Sequence, residues 1–180
     1  MPATRMMDVN NDGLQDVIKV NSSGGNNTYL VYKNTGTTWS LAPETWVNNV
    51  NMDARPDQYW TRLVDVNGDN LPDIVKATSD TWYVWKNTGK NWHPVAEKWA
   101  ANSAIPAYFT ETSNKVVLSD VNGDGLTDIV QSIGVSGPYH TFKVWKNTGT
   151  SWNTSPETWV DNALVDAPFS KPEVMLTDVN

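Results

Sequence analysis

Apolar residues come in short bursts separated by clusters of Asp, Asn, Gly and Thr, and the longest apolar runs are only a few residues. Residues 5–9, 62–66 and 116–121 are apolar-rich stretches that each lead into an acidic cluster. Residues 16–20, 73–77 and 128–131 lead out of it on Val-Ile or Ile-Val pairs, and residues 29–32, 82–85 and 142–145 alternate aromatic with aliphatic side chains. β-Branched and aromatic runs bounded by turn formers predict strands. An Asn-Thr-Gly turn follows each third run, with Gly suited to positive φ. The residues around the next Trp are expected to form a fourth strand. Residues 43–47, 94–100 and 156–160 begin with Pro and continue with helix formers, so one helical turn is open there.

These bursts repeat. Asp-Val-Asn occurs at 8–10, 65–67, 120–122 and 178–180, spaced by 57, 55 and 58 residues. Lys-Asn-Thr-Gly recurs in phase at 33–36, 86–89 and 146–149. Trp39, Trp92 and Trp152 stand six residues after each Lys, and Trp46, Trp99 and Trp159 seven further on. The chain therefore divides into units 4–60, 61–115 and 116–173, with 174–180 starting a fourth. Length differences fall at 22–27 and 133–139, Gly/Ser/Asn-rich insertions expected in surface loops. Three or four short strands in each unit of about 57 residues define an all-β fold of β-propeller blades.

The acidic cluster carries the chemistry. It reads Asp-x-Asn-x-Asp-Gly-x-x-Asp: Asp8, Asn10, Asp12 and Asp16 in the first unit, and Asp120, Asn122, Asp124 and Asp128 in the third. The second has Asp65, Asn67, Asp69 and Asp73, with Asn70 where the others have Gly13 and Gly125. Oxygen ligands at positions 1, 3 and 5 of a tight loop converge on one point. Position 6 favours positive φ, hence Gly, then Asn. Position 7 offers the carbonyl of Leu14, Leu71 or Leu126, and position 9 closes the shell with a carboxylate. Such a hard-oxygen set suits Ca²⁺, giving three sites. Soft metals find no Cys, and His93 and His140 lie outside the loops. An EF-hand would need Glu at position 12 and flanking helices, whereas Lys19, Lys76 or Gln131 stands there between strand-like runs. The metal-free alternative is a plain hairpin turn. It would crowd three carboxylates without a neutralising charge, in three copies.

The string Asp-Val-Asn-Gly-Asp-Gly-Leu-Thr-Asp-Ile-Val at 120–130 resembles the FG-GAP/VCBS repeats of integrin-α-like propellers. The added Lys-Asn-Thr-Gly-x-x-Trp is similar to repeats of bacterial toxin-complex and Rhs-type secreted proteins, and of some lectin propellers. The resemblance implies a calcium-loaded β-propeller used outside the cell or at its surface, in adhesion, recognition or as scaffold. Asn11, where the family has Gly, and Asn70 are departures; the second is expected to weaken its site.

Propellers close with 4–8 blades, and three leave an open edge. The chain is thus either a piece of a longer polypeptide or one half of a two-copy ring. Because 174–180 repeats 4–10, the two ends of a symmetric pair would compete for one position, which favours the piece.

Composition narrows the partners. A net charge of −7 argues against nucleic acid or an anionic membrane surface. Three Ca²⁺ ions would bring that charge close to neutrality. No run is long enough to span a bilayer, and no basic-then-apolar leader pattern is visible. With no Cys there is no disulfide framework and no cysteine nucleophile. Nothing forms a catalytic constellation, so the expectation is a binding protein rather than an enzyme, with a protein or glycan ligand. The ten Trp residues could stack sugars, but their periodic placement predicts packing between blades; only Trp60 and the likewise aperiodic Tyr108 stand out as surface candidates. Glu44, Glu97 and Glu157 are read as helix-start or surface residues.

Overall fold

The computed structural model describes residues 3–23, 26–49, 52–55, 57–78, 81–101, 104–109, 116–136 and 139–164. The fourth-repeat start at 174–180 lies outside them.

The described chain is all-β. Strands β1 (Ala3–Met7), β2 (Asp16–Ser23), β3 (Asn26–Tyr32) and β4 (Glu44–Asn49) form one sheet in chain order. Strands β5 (Thr61–Val64), β6 (Asp73–Ala77), β7 (Thr81–Trp85) and β8 (Glu97–Ala101) form a second. A third contains β9 (Val116–Ser119), β10 (Asp128–Ser136), β11 (Tyr139–Trp145) and β12 (Glu157–Leu164). These are three four-stranded antiparallel meanders, the architecture of propeller blades.

Burial explains the strand choices. In β2, Asp16, Ile18 and Val20 turn inward while Val17 and Lys19 are half-buried, the period of a one-sided strand. In β6 and β7 the core residues are nearly continuous: Ile74, Val75 and Ala77, then Trp82, Val84 and Trp85. That pattern belongs to strands covered on both faces.

Three local expectations need correcting. The fourth strand does not surround Trp39, Trp92 or Trp152. Each of these makes only an isolated bridge, to Asn34, Asn87 and Asn147. The fourth strand is instead the Pro-Glu stretch left open above, and it contains no helical turn. Edge pairing overrides the helix-forming tendency of Glu-Thr and Glu-Lys. The insertions at 22–27 and 133–139 are not free loops either. β2 runs to Ser23 and β3 starts at Asn26, paired Ser23 with Asn26, so the insertion lengthens a hairpin. β10 and β11 pair out to Ser136 and Tyr139.

A bulge recurs where the outer strand meets the third. Tyr29 pairs with Val47 and Leu30 with Thr45, leaving Trp46 as the extra residue. Phe142 pairs with Val160 and Lys143 with Thr158, leaving Trp159. Bulges re-aim a side chain, and here they turn a tryptophan out of the strand's alternation.

Two compact units partition the chain: Met1–Asp65, Asp69–Lys76 and Tyr83–Lys98 in one, Val66–Gly68, Ala77–Trp82 and Trp99–Asn180 in the other. In the first, Trp92 packs on Tyr29 and Trp46 at ring separations of 5.9 and 5.1 Å. Val9, Ile18, Val31, Met52 and Ile74 share that core. The Tyr29 hydroxyl, whose pKa burial pushes up, donates to the Ala54 carbonyl at 2.6 Å. In the second, Trp152 packs on Trp82 and Trp99 at 5.2 and 4.9 Å. Trp82 Nε1 donates to the Ala107 carbonyl, and Phe109 meets its ring edge-on. The same cluster is thus built twice with different side chains. Trp82, Trp85, Trp145 and the four clustered periodic tryptophans Trp46, Trp92, Trp99 and Trp152 are buried as expected. Trp39 and Trp159 are not: they stand 42% and 46% exposed.

Candidate metal-binding loops

The strand register fixes the loops. Met7 pairs with Asp16, Val64 with Asp73 and Ser119 with Asp128, so each acidic cluster is the hairpin connection between the first two strands of its sheet. Position 9 becomes the first residue of the exit strand. Positions 4 and 6 are both left-handed: Asn11 and Asn70 have φ of 60° and 63°, close to the values of the glycines elsewhere. Asn is the residue that tolerates this region best after Gly, so the departures keep the loop shape.

The carboxylates hold the loop by accepting its backbone N–H groups, Asp8 and Asp120 through both oxygens. Asp8 Oδ2 accepts the Gly13 N–H at 2.7 Å, Asp65 Oδ2 that of Asn70 at 2.7 Å, and Asp120 Oδ2 that of Gly125 at 2.8 Å. At position 5, Asp12, Asp69 and Asp124 accept the N–H of Leu14, Leu71 and Leu126 through Oδ1, all at 2.9 Å. At position 3, Asn10 and Asn122 donate Nδ2 to Asp12 and Asp124, both at 2.9 Å. Asn67, half-buried, lies in the second compact unit; the other four predicted ligands of its loop, Asp65, Asp69, Leu71 and Asp73, belong to the first. The carbonyls of Leu14, Leu71 and Leu126 accept no hydrogen bond among the described residues.

Position 9 is fully buried in every unit. Asp16, Asp73 and Asp128 accept the backbone N–H of Asn34, Asn87 and Asn147 through Oδ1, at 2.7, 2.7 and 2.8 Å. Oδ2 of Asp16 and Asp128 is held only by long bonds from Val9 and Val121, 3.4 and 3.3 Å. Burial pushes the carboxyls of Asp16 and Asp128 up, and the charges of Asp12 and Asp8, or of Asp124 and Asp120, push the same way. Asp120 goes the other way: desolvation opposes its charge, but the N–H groups of Gly125, Gly123, Asn122 and Asp124 outweigh it.

As arranged, no group of three or more His, Asp or Glu side chains among the described residues is poised to hold a metal ion. The donor set nevertheless suits a hard cation. Each loop gathers carboxylates held by backbone N–H groups beside a Leu carbonyl that accepts no hydrogen bond among the described residues, and in the first and third loops burial pushes the closing carboxyl up.

Two groups of residues have roles that were not predicted, the first of them on the loops. The Asn of Lys-Asn-Thr-Gly folds its own turn, Oδ1 accepting from Gly36, Gly89 or Gly149 at 2.9, 2.8 and 2.8 Å. Its Nδ2 clamps the end of the acidic loop through the carbonyl of Gln15, Pro72 or Thr127. The same carbonyls accept the indole N–H of Trp39, Trp92 and Trp152. Asn87 also reaches the Val9 carbonyl at 2.8 Å, and Asn147 that of Val66 at 2.7 Å. Second, Glu44, Glu97 and Glu157 are neither helical nor idle: they pair with Lys33, Lys86 and Lys146 at 3.0, 3.1 and 2.9 Å. The shared phase of these residues along the sequence was the available signal for both.

The two acidic motifs at 65–73 and 120–128, with the sheet segment between them, fall inside one family match. Residues 65–131 match the FG-GAP-like repeat. No curated protein matches the chain. Among solved structures, a lectin of Agrocybe aegerita, described as recognising non-reducing terminal N-acetylglucosamine, shares the fold with a TM-score of 0.62 at 24% identity. The alignment covers 84% of this chain and 37% of the lectin, so the chain spans little more than a third of that relative. The match is thus to the middle of the chain, and the lectin shows the fold alone. No helix among the described residues is long and apolar enough to cross a membrane.

Proposed function

We propose that this FG-GAP-like segment is a calcium-binding propeller module that works as an extracellular scaffold or adhesion and recognition surface, without catalysis. The observation that carries the reading is the position-9 aspartate. Asp16 and Asp128 are buried, already hydrogen-bonded, and pushed up in pKa by burial and by two neighbouring aspartates. A divalent ion neutralises that cluster and locks the hairpin; it supplies charge, not chemistry. Asp8, Asn10, Asp12, the Leu14 carbonyl and Asp16, and their counterparts in the other two loops, would hold it.

The test is scanning calorimetry of the chain with calcium and with chelator. A ligand at a hundred times its Kd stabilises by about 2.7 kcal/mol per site, so the midpoint should rise by several degrees. Asp124→Ala should lose part of that rise. An unchanged midpoint overturns the metal reading.

Carbohydrate recognition is favoured by a separate observation. Arg5, Met6, Asp57, Gln58, Tyr59 and Arg62 line a cavity of about 400 Å³ in the first compact unit. Tyr59 is 40% exposed and stacks edge-on against Trp60, while Trp60 itself is half-buried and donates to Gln58. An exposed aromatic beside fixed charged groups is chemistry suited to a sugar ring, and the likeness of fold to a lectin described as recognising non-reducing terminal N-acetylglucosamine supports the reading. Tyr108, exposed in the second unit, has no such surroundings among the described residues. Glycan-array binding lost in Tyr59→Ala would support this reading; silence on the array would remove it.

A further inference from the structure

The cavity at Tyr59 carries a charge arrangement that the repeat scheme does not require. Arg5 in β1 and Arg62 in β5 stand at the same register position, opposite Ile18 and Val75, three residues before Asp8 and Asp65. The third sheet has Val117 there, opposite Val130. Strand pairing at this position therefore needs no cation. In the first compact unit, however, both arginines line one cavity.

The groups around that cavity are held in place. Arg62 is half-buried, and its Nη1 donates to the Tyr59 and Thr61 carbonyls at 2.8 and 2.9 Å, which fixes the guanidinium at the wall. The Arg5 guanidinium makes no hydrogen bond or ion pair among the described residues. Burial pushes the Arg62 guanidinium down in pKa, and the Arg5 charge pushes the same way, because two cations share one space. The carboxylate of Asp57 at the cavity wall does not offset them. Arg55 takes it up, donating Nε to one oxygen at 3.0 Å and Nη2 to the other. Gln58 is fixed as well: its Oε1 accepts the Arg55 N–H and the Trp60 indole N–H at 3.0 and 2.9 Å. That assignment makes Nε2 the donor end, and it has no acceptor among the described residues.

We propose that this cavity takes an acidic saccharide, with the sugar carboxylate between Arg5 and Arg62 and the ring against Tyr59. The inference rests on the carbohydrate reading of the same cavity and names the class of sugar. A guanidinium presents parallel N–H donors that match the two oxygens of a carboxylate. An anion between the two guanidiniums removes their mutual repulsion, whereas a neutral sugar leaves it in place. Gln58 Nε2 supplies a donor for a ring hydroxyl. A volume of about 400 Å³ lies in the range of small-ligand sites. The chain as a whole carries a net charge of −7, so long-range attraction does not draw acidic glycans to it and the preference must come from this local pair.

An array carrying neutral glycans, and the same backbones bearing uronic acid, sialic acid or sulfate esters, tests this with the full chain. Carboxylated glycans should bind at least about tenfold more tightly than their neutral counterparts. Arg5→Gln, at an exposed position, should remove that preference while keeping the wild-type circular dichroism spectrum. Arg62→Lys keeps the charge but loses the fork, and should weaken the preference. Tyr59→Ala should weaken every glycan that binds. Neutral glycans bound as tightly as carboxylated ones, sulfated glycans bound in preference to them, or a preference that survives Arg5→Gln would each overturn the proposal and leave the carbohydrate reading standing. Silence across the whole array overturns both.

Discussion

The hairpin ending at Trp39 and the hairpin ending at Trp92 are the same local object. Both follow Lys-Asn-Thr-Gly, both fold the turn through Asn Oδ1 and the Gly N–H, and both anchor the indole N–H on the carbonyl preceding a buried Asp. They differ in what lies beyond the turn. Trp92 finds Tyr29 and Trp46, while Trp39 faces solvent. The motif therefore encodes a rigid bracket that presents a tryptophan, and the burial energy comes from a different sheet. The sharpest way to break the comparison is to truncate both side chains. Trp92→Ala removes a close-packed aromatic and should cost about 3–5 kcal/mol. Trp39→Ala should stay within about 1 kcal/mol. Urea unfolding followed by circular dichroism measures both, and equal losses would mean the two brackets carry the same load.

That distinction also explains what was legible beforehand. Phase along the sequence located the three sheets, the acidic hairpins and the periodic tryptophans, because each depends on local turn chemistry and on alternation. Periodicity gave Trp39, Trp92 and Trp152 one environment, since it cannot register which of them meets aromatic partners on another sheet. The Glu-Thr-Trp and Glu-Lys-Trp segments read ambiguously because their strand character comes from pairing with the third strand, a non-local contact. The aspartates at positions 1, 5 and 9 and the asparagine at position 3 were visible as ligand candidates. Their division of labour was not: that backbone N–H groups hold the carboxylates, and that position 9 is buried under Asn34, Asn87 or Asn147, follows from the register of three strands and a turn.

A smaller test separates the bracket's own bonds from the bond it makes beyond its sheet. Asn87→Ala deletes the donor to Val9, a buried carbonyl that would be left unsatisfied, and loosens the turn at Gly89. The cost should be about 2 kcal/mol, the penalty of an orphaned buried acceptor added to a lost turn bond. Asn34→Ala deletes an exposed bond to Gln15 and the matching turn bond at Gly36, and should cost about 0.5–1 kcal/mol because water replaces both. If the two substitutions cost the same, the Val9 bond contributes nothing and the bracket is purely local. Amide exchange at Gly36 and Gly89 would locate the loosening in each case.

The smallest expected effect lies at the base of the bracket, where the sheets are alike. Lys33 pairs with Glu44 at 3.0 Å, as Lys86 does with Glu97 and Lys146 with Glu157, in open surroundings. Lys33, and then the Trp46 N–H, hold the Glu44 carboxyl below its usual range. A lowered acid pKa contributes stability above the unfolded-state value and loses it as pH falls through the folded value, so the pair works at neutral pH and fades in mild acid. Because Glu44 is half exposed, screening leaves the pair worth no more than about 0.5 kcal/mol. Glu44→Gln should therefore shift the urea midpoint slightly at pH 7. The shift should shrink both in high salt and below the normal titration range of glutamate. A large shift that persists in salt would show that Glu44 acts through its bond to the Trp46 indole, making the outer-strand bulge rather than the ion pair the element that positions the socket for Trp92.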